Sequence, residues 1–385
     1  MKRLISFFIF VSVYSLYSLM IPSFSVQAQI PEEDDQNDTY FVGVVKEILT
    51  VVESDPLFTD QQLKQVIVHL KTGSGWDVQA QYSDNASTDA DDLHPAEKVV
   101  VLKTDAFVGE TRYIITDKYR LPSVGFLLVL FFLSGIIFAG KKGFTSILGL
   151  LASLLILSFY TVPAIVDGAP PFMVACISSF VIAILSLTLA HGFSKQTTIA
   201  LLSTLITLVL SLGLSQFFVY TAKLFGLGTE DAYTLSLAGL SNIDLRGLLL
   251  AGIIIGILGV LDDVTTAQTA TIKNLAAAGI RDFKKLYQAG TDVGKEHIVS
   301  LVNTLALAYV GASLPLLLLF SVNEGQVPYW IVLNGQMITE EIVRTLVGST
   351  ALILAVPIST LCAAWFYTKT KYPIEKTDTI HTHQH

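Results

Sequence analysis

Apolar and polar positions along the chain fall into three rhythms. The chain opens with Lys2 and Arg3, runs apolar from Leu4 to about Met20, and then reaches Val26-Gln27-Ala28. A basic start, an apolar stretch and small residues before a cut are the parts of a secretory signal. The apolar stretch nearly spans a bilayer, so an uncleaved anchor is the alternative reading. On either reading the next segment is expected outside the membrane. Residues 29–38, QIPEEDDQND, are polar and acidic and read as disordered.

From Thr39 the period becomes that of strands, with runs at 39–52, 62–71, 76–82, 98–103 and 111–116. Lys71-Thr72-Gly73-Ser74-Gly75 reads as a hairpin turn. Five short strands in so little chain fit a small OB-like or SH3-like barrel. After Arg120 the polar positions thin out into seven apolar runs, at about 122–139, 144–164, 172–191, 197–220, 247–269, 298–320 and 345–366. Each is close to the ~20 residues that cross hydrocarbon as a helix. Lipid offers the backbone no hydrogen bonds, so helices are the expected form. The predicted fold is therefore a polytopic α-helical membrane protein, about seven transmembrane helices with an N-terminal exported β-rich domain. Its parts are a signal peptide (1–28), an exported acidic domain (29–120), a membrane domain (121–367) and a cytoplasmic tail (368–385).

Composition agrees with that division. Apolar residues make up 52% of the 385-residue chain and charged residues 15%, with a mean hydropathy of +0.60; a soluble protein carries about 25% charged residues. Residues 29–120 hold 18 Asp and Glu against 8 Lys and Arg, a net of −10, while the whole chain is −8. That domain would repel phosphates, which excludes nucleic acid as its partner. Asp84, Asp89, Asp91 and Asp92 form an acidic loop without the ligand spacing of a calcium motif. Cys176 and Cys362 fall in apolar runs near opposite faces, so no disulfide is expected, and the exported domain must rely on its core. Neither a metal site nor a cofactor is expected; the alternating His381, His383 and His385 read as a tail without a role.

Charge also sets orientation. With the β-rich domain outside, the inside segments hold 11 basic residues, from Lys141 to Lys376, and the outside loops hold Lys223, Arg246 and Arg344. The positive-inside rule thus agrees with the signal-like start, and places the chain in a bacterial inner (plasma) membrane with its C-terminus cytoplasmic. The basic segment 274–294 reads either as an amphipathic helix on the inner leaflet or as a plain connector.

The chemistry concentrates in the fifth run, LRGLLLAGIIIGILGVLDDVTTAQTATIK. Asp262 and Asp263 lie past its midpoint, where a carboxylate costs about 2.5–3.5 kcal/mol to insert. They should face protein or a water-filled cavity. Helical spacing puts Gly252, Gly256 and Gly259 on a stripe with Asp263 and Thr266, where another helix can approach closely. Asp262, Thr265, Thr266 and Thr269 share the neighbouring stripe, and Gln268 adds to a polar half-helix. Asn303 and Thr304 in the sixth run, and Ser359 and Thr360 after Pro357 in the seventh, are expected at similar depth. These residues form a predicted polar layer in the inner half of spans five to seven.

The runs GVLDDVTTAQTATI, VNTLALAYVGASLPLLLLF and EEIVRTLVGSTALILAVPIST, in that order, resemble the YibE/F family of bacterial membrane proteins. The resemblance extends from the exported domain through the last span. It implies a bacterial multi-pass membrane protein and brings no reaction with it.

Three functions compete. Intramembrane carboxylates beside hydroxyls and an amide fit an ion- or proton-coupled transporter or permease, with a monovalent cation or proton and an unidentified small solute as partners. An exported domain, a helical bundle and a basic inner loop also fit a membrane scaffold or receptor acting through an oligomer or protein partner. An intramembrane enzyme fits least. Adjacent aspartates diverge by about 100° on a helix rather than facing each other across a water. No HExxH or GxSxG pattern occurs either.

Overall fold

The computed structural model describes residues 39–54, 62–70, 75–84, 93–105, 111–237, 243–314, 318, 321 and 328–369. The signal-like start, the acidic segment 29–38, residues 71–74 of the expected turn, Asp89, Asp91, Asp92 and the histidine tail lie outside them. The chain forms two compact units that divide between Ser134 and Gly135.

The first unit carries five strands, β1 (Thr39–Ser54), β2 (Gln62–Leu70), β3 (Trp76–Asp84), β4 (Lys98–Asp105) and β5 (Thr111–Lys118). Each begins where the alternation places it, and the ends differ by one or two residues. They close into a barrel in the order β1-β2-β3-β5-β4. Strand β1 serves two neighbours, pairing β4 along 39–44 and β2 along 43–54. Register shifts between Val45 and Glu47 and between Leu49 and Glu53 bend it far enough to do so. One side of each strand fills the interior: Val66, Val68 and Leu70, Val78 and Ala80, Val99 and Val101 are all buried. Gly43 lies against Val68, whose side chain occupies the place a Cβ would need. At the surface, Asp77 accepts from Lys46 Nζ at 2.7 Å and pairs with His69 Nδ1 at 2.6 Å. The Lys46 bond, then the His69 bond, hold its carboxyl below the usual carboxylate range.

The second unit is helical. Helix α1 (Leu121–Ile156) begins in the first unit and is interrupted at Gly140, whose φ of 56° and ψ of −134° are not helical. Gly135, before the break, packs on Gly143, and a Cβ on it would stand 3.5 Å from the Ile147 side chain beyond the break, so the chain doubles back there. The apolar stretch Leu121–Val166 has 46 residues. Unbroken it would reach about 69 Å, against about 30 Å of hydrocarbon, so a fold at Gly140 is needed. Lys141 and Lys142 sit at this reversal, where the sequence places the first hairpin. A π-helical turn, Leu157–Thr161, follows. Val162 N–H bonds back to Leu157 O, and Pro163 has no N–H to give to the Phe159 carbonyl.

The chain continues through α2 (Val162–Val166), α3 (Pro171–His191), α4 (Lys195–Thr221), α5 (Glu230–Leu237), α6 (Leu245–Ala277), α7 (Phe283–Ala312), α8 (Tyr329–Leu333) and α9 (Gln336–Lys369). Among the described residues, five helical stretches are long and apolar enough to cross a membrane: Leu121–Val166, α3, α4, α6 and α9. Helices α4, α6 and α9 share the central core, with Leu208, Ile254, Leu261, Ala351 and Ala355 among its most buried residues. Strongly apolar residues on the outward faces, such as Phe138 and Leu202, stay exposed, as a lipid-facing surface would be.

Segment 274–294 is helical along much of its length, since α6 runs on to Ala277 and α7 begins at Phe283. Leu286 is fully buried with Ile272, Ala276, Ala363 and Tyr367, while Phe283, Lys284 and Lys285 are exposed. Residues 298–312 of the expected sixth run form the second half of α7, and its residues 315–317, 319 and 320 lie outside the described set.

Candidate functional site

Helix α6 presents three different surroundings along its polar half. Asp262 points toward α3, where the Ser186 hydroxyl donates to its Oδ2. Its Oδ1 is buried and has no hydrogen-bond partner among the described residues. One position on, Asp263 turns away and is exposed. Both line a cavity of about 380 Å³ whose walls are α6, α3 and the second limb of α1. Its polar lining comes from Ser146 and Ser153 on α1, Ser186 and His191 on α3, and the two aspartates.

The walls are set by local sequence. Gly149 lies beside Ser186: a Cβ there would be 3.5 Å from the Ser186 backbone, so the limb and α3 are in contact. Thr145 Oγ1 reaches the Ala190 carbonyl at 3.4 Å and ties the limb to the end of α3. His191 is the last residue of α3, and Gly192, at φ 69°, turns the chain away behind it. Asp263 and Lys142 are close enough for their charges to act on His191.

The remaining predicted residues do not join this cavity. Thr265 is fully buried and shares a 2.7 Å hydrogen bond with Thr204 of α4. Gln268, also fully buried, donates its Nε2 to Gly290 O and to Thr360 Oγ1, both at 2.8 Å. That one side chain joins α6, α7 and α9. Ser359 and Thr360 are fully buried and return their hydroxyls to carbonyls one turn earlier. Thr266 is partly buried, with its hydroxyl unpartnered among the described residues. Asn303 and Thr304 are exposed on α7, and Thr304 bonds only to Ser300 of its own helix. The expected single layer is therefore three things: a carboxylate cavity, a buried hydroxyl and amide seam, and an exposed helix face. Depth along the span suits a layer, but the direction in which each side chain points divides it.

The glycine stripe is placed differently as well. Around Gly252, Gly256 and Gly259 no described atom lies within 4 Å of where a Cβ would stand, and Gly259 borders the cavity. Close helix approach occurs instead at Gly290 and Gly294 of α7. A Cβ on Gly290 would run into Ile272 and come within 3.1 Å of Thr360, and one on Gly294 would meet Val356 and Gln268.

Sequence reasoning missed a second buried carboxylate. Glu340, 3% exposed in the first turns of α9, accepts from Gly226 N at 3.0 Å, Gly228 N at 3.1 Å and Gln336 Nε2 at 2.8 Å. It pins the loop after α4 and borders a cavity of about 260 Å³ with Thr229, Ser313, Glu341 and Arg344. The seventh apolar run starts at 345, so Glu340 reads as loop in sequence. The partners Ser186 and His191 escape notice because a serine and a terminal histidine in an apolar span carry no signal until α3 is seen beside α6.

A family model described as YibE/F-like protein matches residues 127–369, and the chain belongs to that family. The match starts after the barrel, so it does not extend into the β-rich domain as the sequence resemblance does. No curated protein and no solved structure matches the chain. Family membership and the five long apolar helices together make it a multi-pass membrane protein.

Proposed function

We propose that the protein is an ion- or proton-coupled transporter or permease of the bacterial plasma membrane, working through the cavity that holds Asp262 and Asp263. The observation that carries this reading is one cavity, about 380 Å³, lined by two carboxylates at depth in a spanning helix. Carboxylates in such a place are retained at a cost and mark ion and proton pathways. The cavity wall contributed by α1 lies between the Gly140 break and the π-helical turn, two irregularities that let a limb shift without melting.

The lysines support an orientation with the barrel outside and the C-terminus in the cytoplasm. Lys142 acts on His191, Lys195 opens α4 just beyond it, and Lys273 Nζ reaches Gln196 at 3.3 Å. These basic residues gather at the His191 end of the bundle, which supports reading that end as the inner one. The test is charge movement by proteoliposomes on a solid-supported membrane under steps of pH and of monovalent and divalent cations. Asp262→Asn and Asp263→Asn should abolish the current while the protein is made in normal amount. Undiminished currents in both variants would remove these residues, and this reading, from consideration.

A further inference from the structure

We infer that the ion exchanged at this cavity is a proton, held on the Asp262–Asp263 pair and passed to the inner end of the bundle through His191. This rests on the transport reading and narrows its ion to one. Three observations point the same way.

The first is the donor set. Among the described residues no three His, Cys, Asp or Glu side chains gather as a transition-metal site requires. Asp262 and Asp263 follow one another on a helix, so their carboxylates leave it about 100° apart and cannot converge on one small cation.

The second is the open valence on Asp262. One oxygen takes the Ser186 hydroxyl, and the other is buried with no partner among the described residues. A buried acceptor left unpaired costs about 1–3 kcal/mol, more if charged. A proton on that oxygen removes the charge, whereas a metal ion would need several ligands.

The third is His191. It lines the same cavity from α3, sits at the helix end, and interacts electrostatically with Asp263. An imidazole accepts a proton at one ring nitrogen and releases one from the other, which a metal-ion pathway does not need. The charged and titratable groups facing this path are Asp262 and Asp263 from α6, His191 from α3 and Lys142 from α1; the α4 side offers only the Thr204–Thr265 hydroxyl pair. Asp263 attracts a cationic ring at His191 and Lys142 repels it, so the two charges act on the ring in opposite senses. The transfer is balanced: the carboxylic O–H breaks, the ring nitrogen takes that proton, and the opposite ring N–H goes to water.

The test is infrared difference spectroscopy of the full chain in lipid nanodiscs, titrated with pH at fixed salt. A carboxylic C=O band that vanishes as pH rises is expected, absent from Asp262→Asn, and unchanged by added sodium, potassium or magnesium. His191→Gln, at an exposed helix end, should fold normally and shift the midpoint of that titration. Loss of the band on adding a metal cation at constant pH, or a midpoint indifferent to His191→Gln, overturns the inference. Currents that need the aspartates but follow sodium and ignore pH would also sink it, while leaving a transporter. A proton band with no current under any gradient would sink transport and leave the proton site.

Discussion

Removing the Glu340 side chain should free the loop that it holds. Its carboxylate takes the N–H groups of Gly226 and Gly228 and the Gln336 amide. Glu340→Ala leaves the two backbone donors buried and unpaired. At about 1.5 kcal/mol for each, the low end for bonds to a charged group, the loop loses about 3 kcal/mol. Local opening of the segment should then rise about 100-fold. Glu340→Gln is the sharper variant. Its oxygen can keep the position that serves both Gly226 and Gln336, but its NH₂ then faces the Gly228 N–H, donor against donor. One bond is lost instead of two, so opening should rise about 10-fold. Hydrogen exchange of the backbone amides in 222–229, read by mass spectrometry on the full chain in detergent, measures both. The order wild type, Gln, Ala is required. Exchange in Glu340→Ala within twofold of wild type would refute the clamp, and equal rates in the two variants would refute its division between the two oxygens.

Two further outcomes follow from packing and charge. Gly290→Leu should destabilise the bundle by about 1–3 kcal/mol, because the new side chain must displace Ile272 and Thr360, whereas Gly256→Ala, in open space, should be neutral or gain up to about 1 kcal/mol of helix propensity; thermal melting of the detergent-solubilised protein separates them, and a destabilising Gly256→Ala would mean that something seats on that stripe. In the barrel, the carboxyl of Asp77 is held below its ordinary value by Lys46 and His69, so its contribution is complete above the unfolded value and is lost as pH falls through the folded one; amide exchange in β3 should therefore quicken on acidification below the ordinary carboxylate range, and Asp77→Asn should flatten that dependence.

The parts of this molecule that are legible in sequence are those governed by period and solvent. Strands β1 to β5 are readable because Val66, Val68 and Leu70, or Val99 and Val101, repeat at two residues with polar neighbours between them. The doubling back at Gly140 is readable because two lysines follow a glycine between apolar runs. What hydropathy cannot carry is direction within the membrane, since lipid and protein interior are equally apolar. Gly252, Gly256 and Gly259 have the spacing of a helix contact, but Gly290 and Gly294, hidden among charged residues of α7, make one. The same ambiguity groups Asp262 with Thr360, though the bundle turns Asp262 to α3 and gives Thr360 to Gln268. A buried glutamate five residues before an apolar run reads as loop unless the helix is known to start at Gln336.

A closed barrel has no free strand edge, so a second copy of the domain cannot extend its ladder by backbone pairing. In a chain whose N-terminal domain carries net negative charge and no cysteine, that leaves closure and like-charge repulsion as the defences against clumping. The closure is uneven. Strands β2 and β3 are registered along nine residue pairs, while β3 and β5 meet in the parallel sense with one registered pair, Gln81 and Ile114. That seam is the thinnest part of the wall. Heat or mild denaturant would part it first, and the two edges laid bare there are where misassociation of this domain would begin.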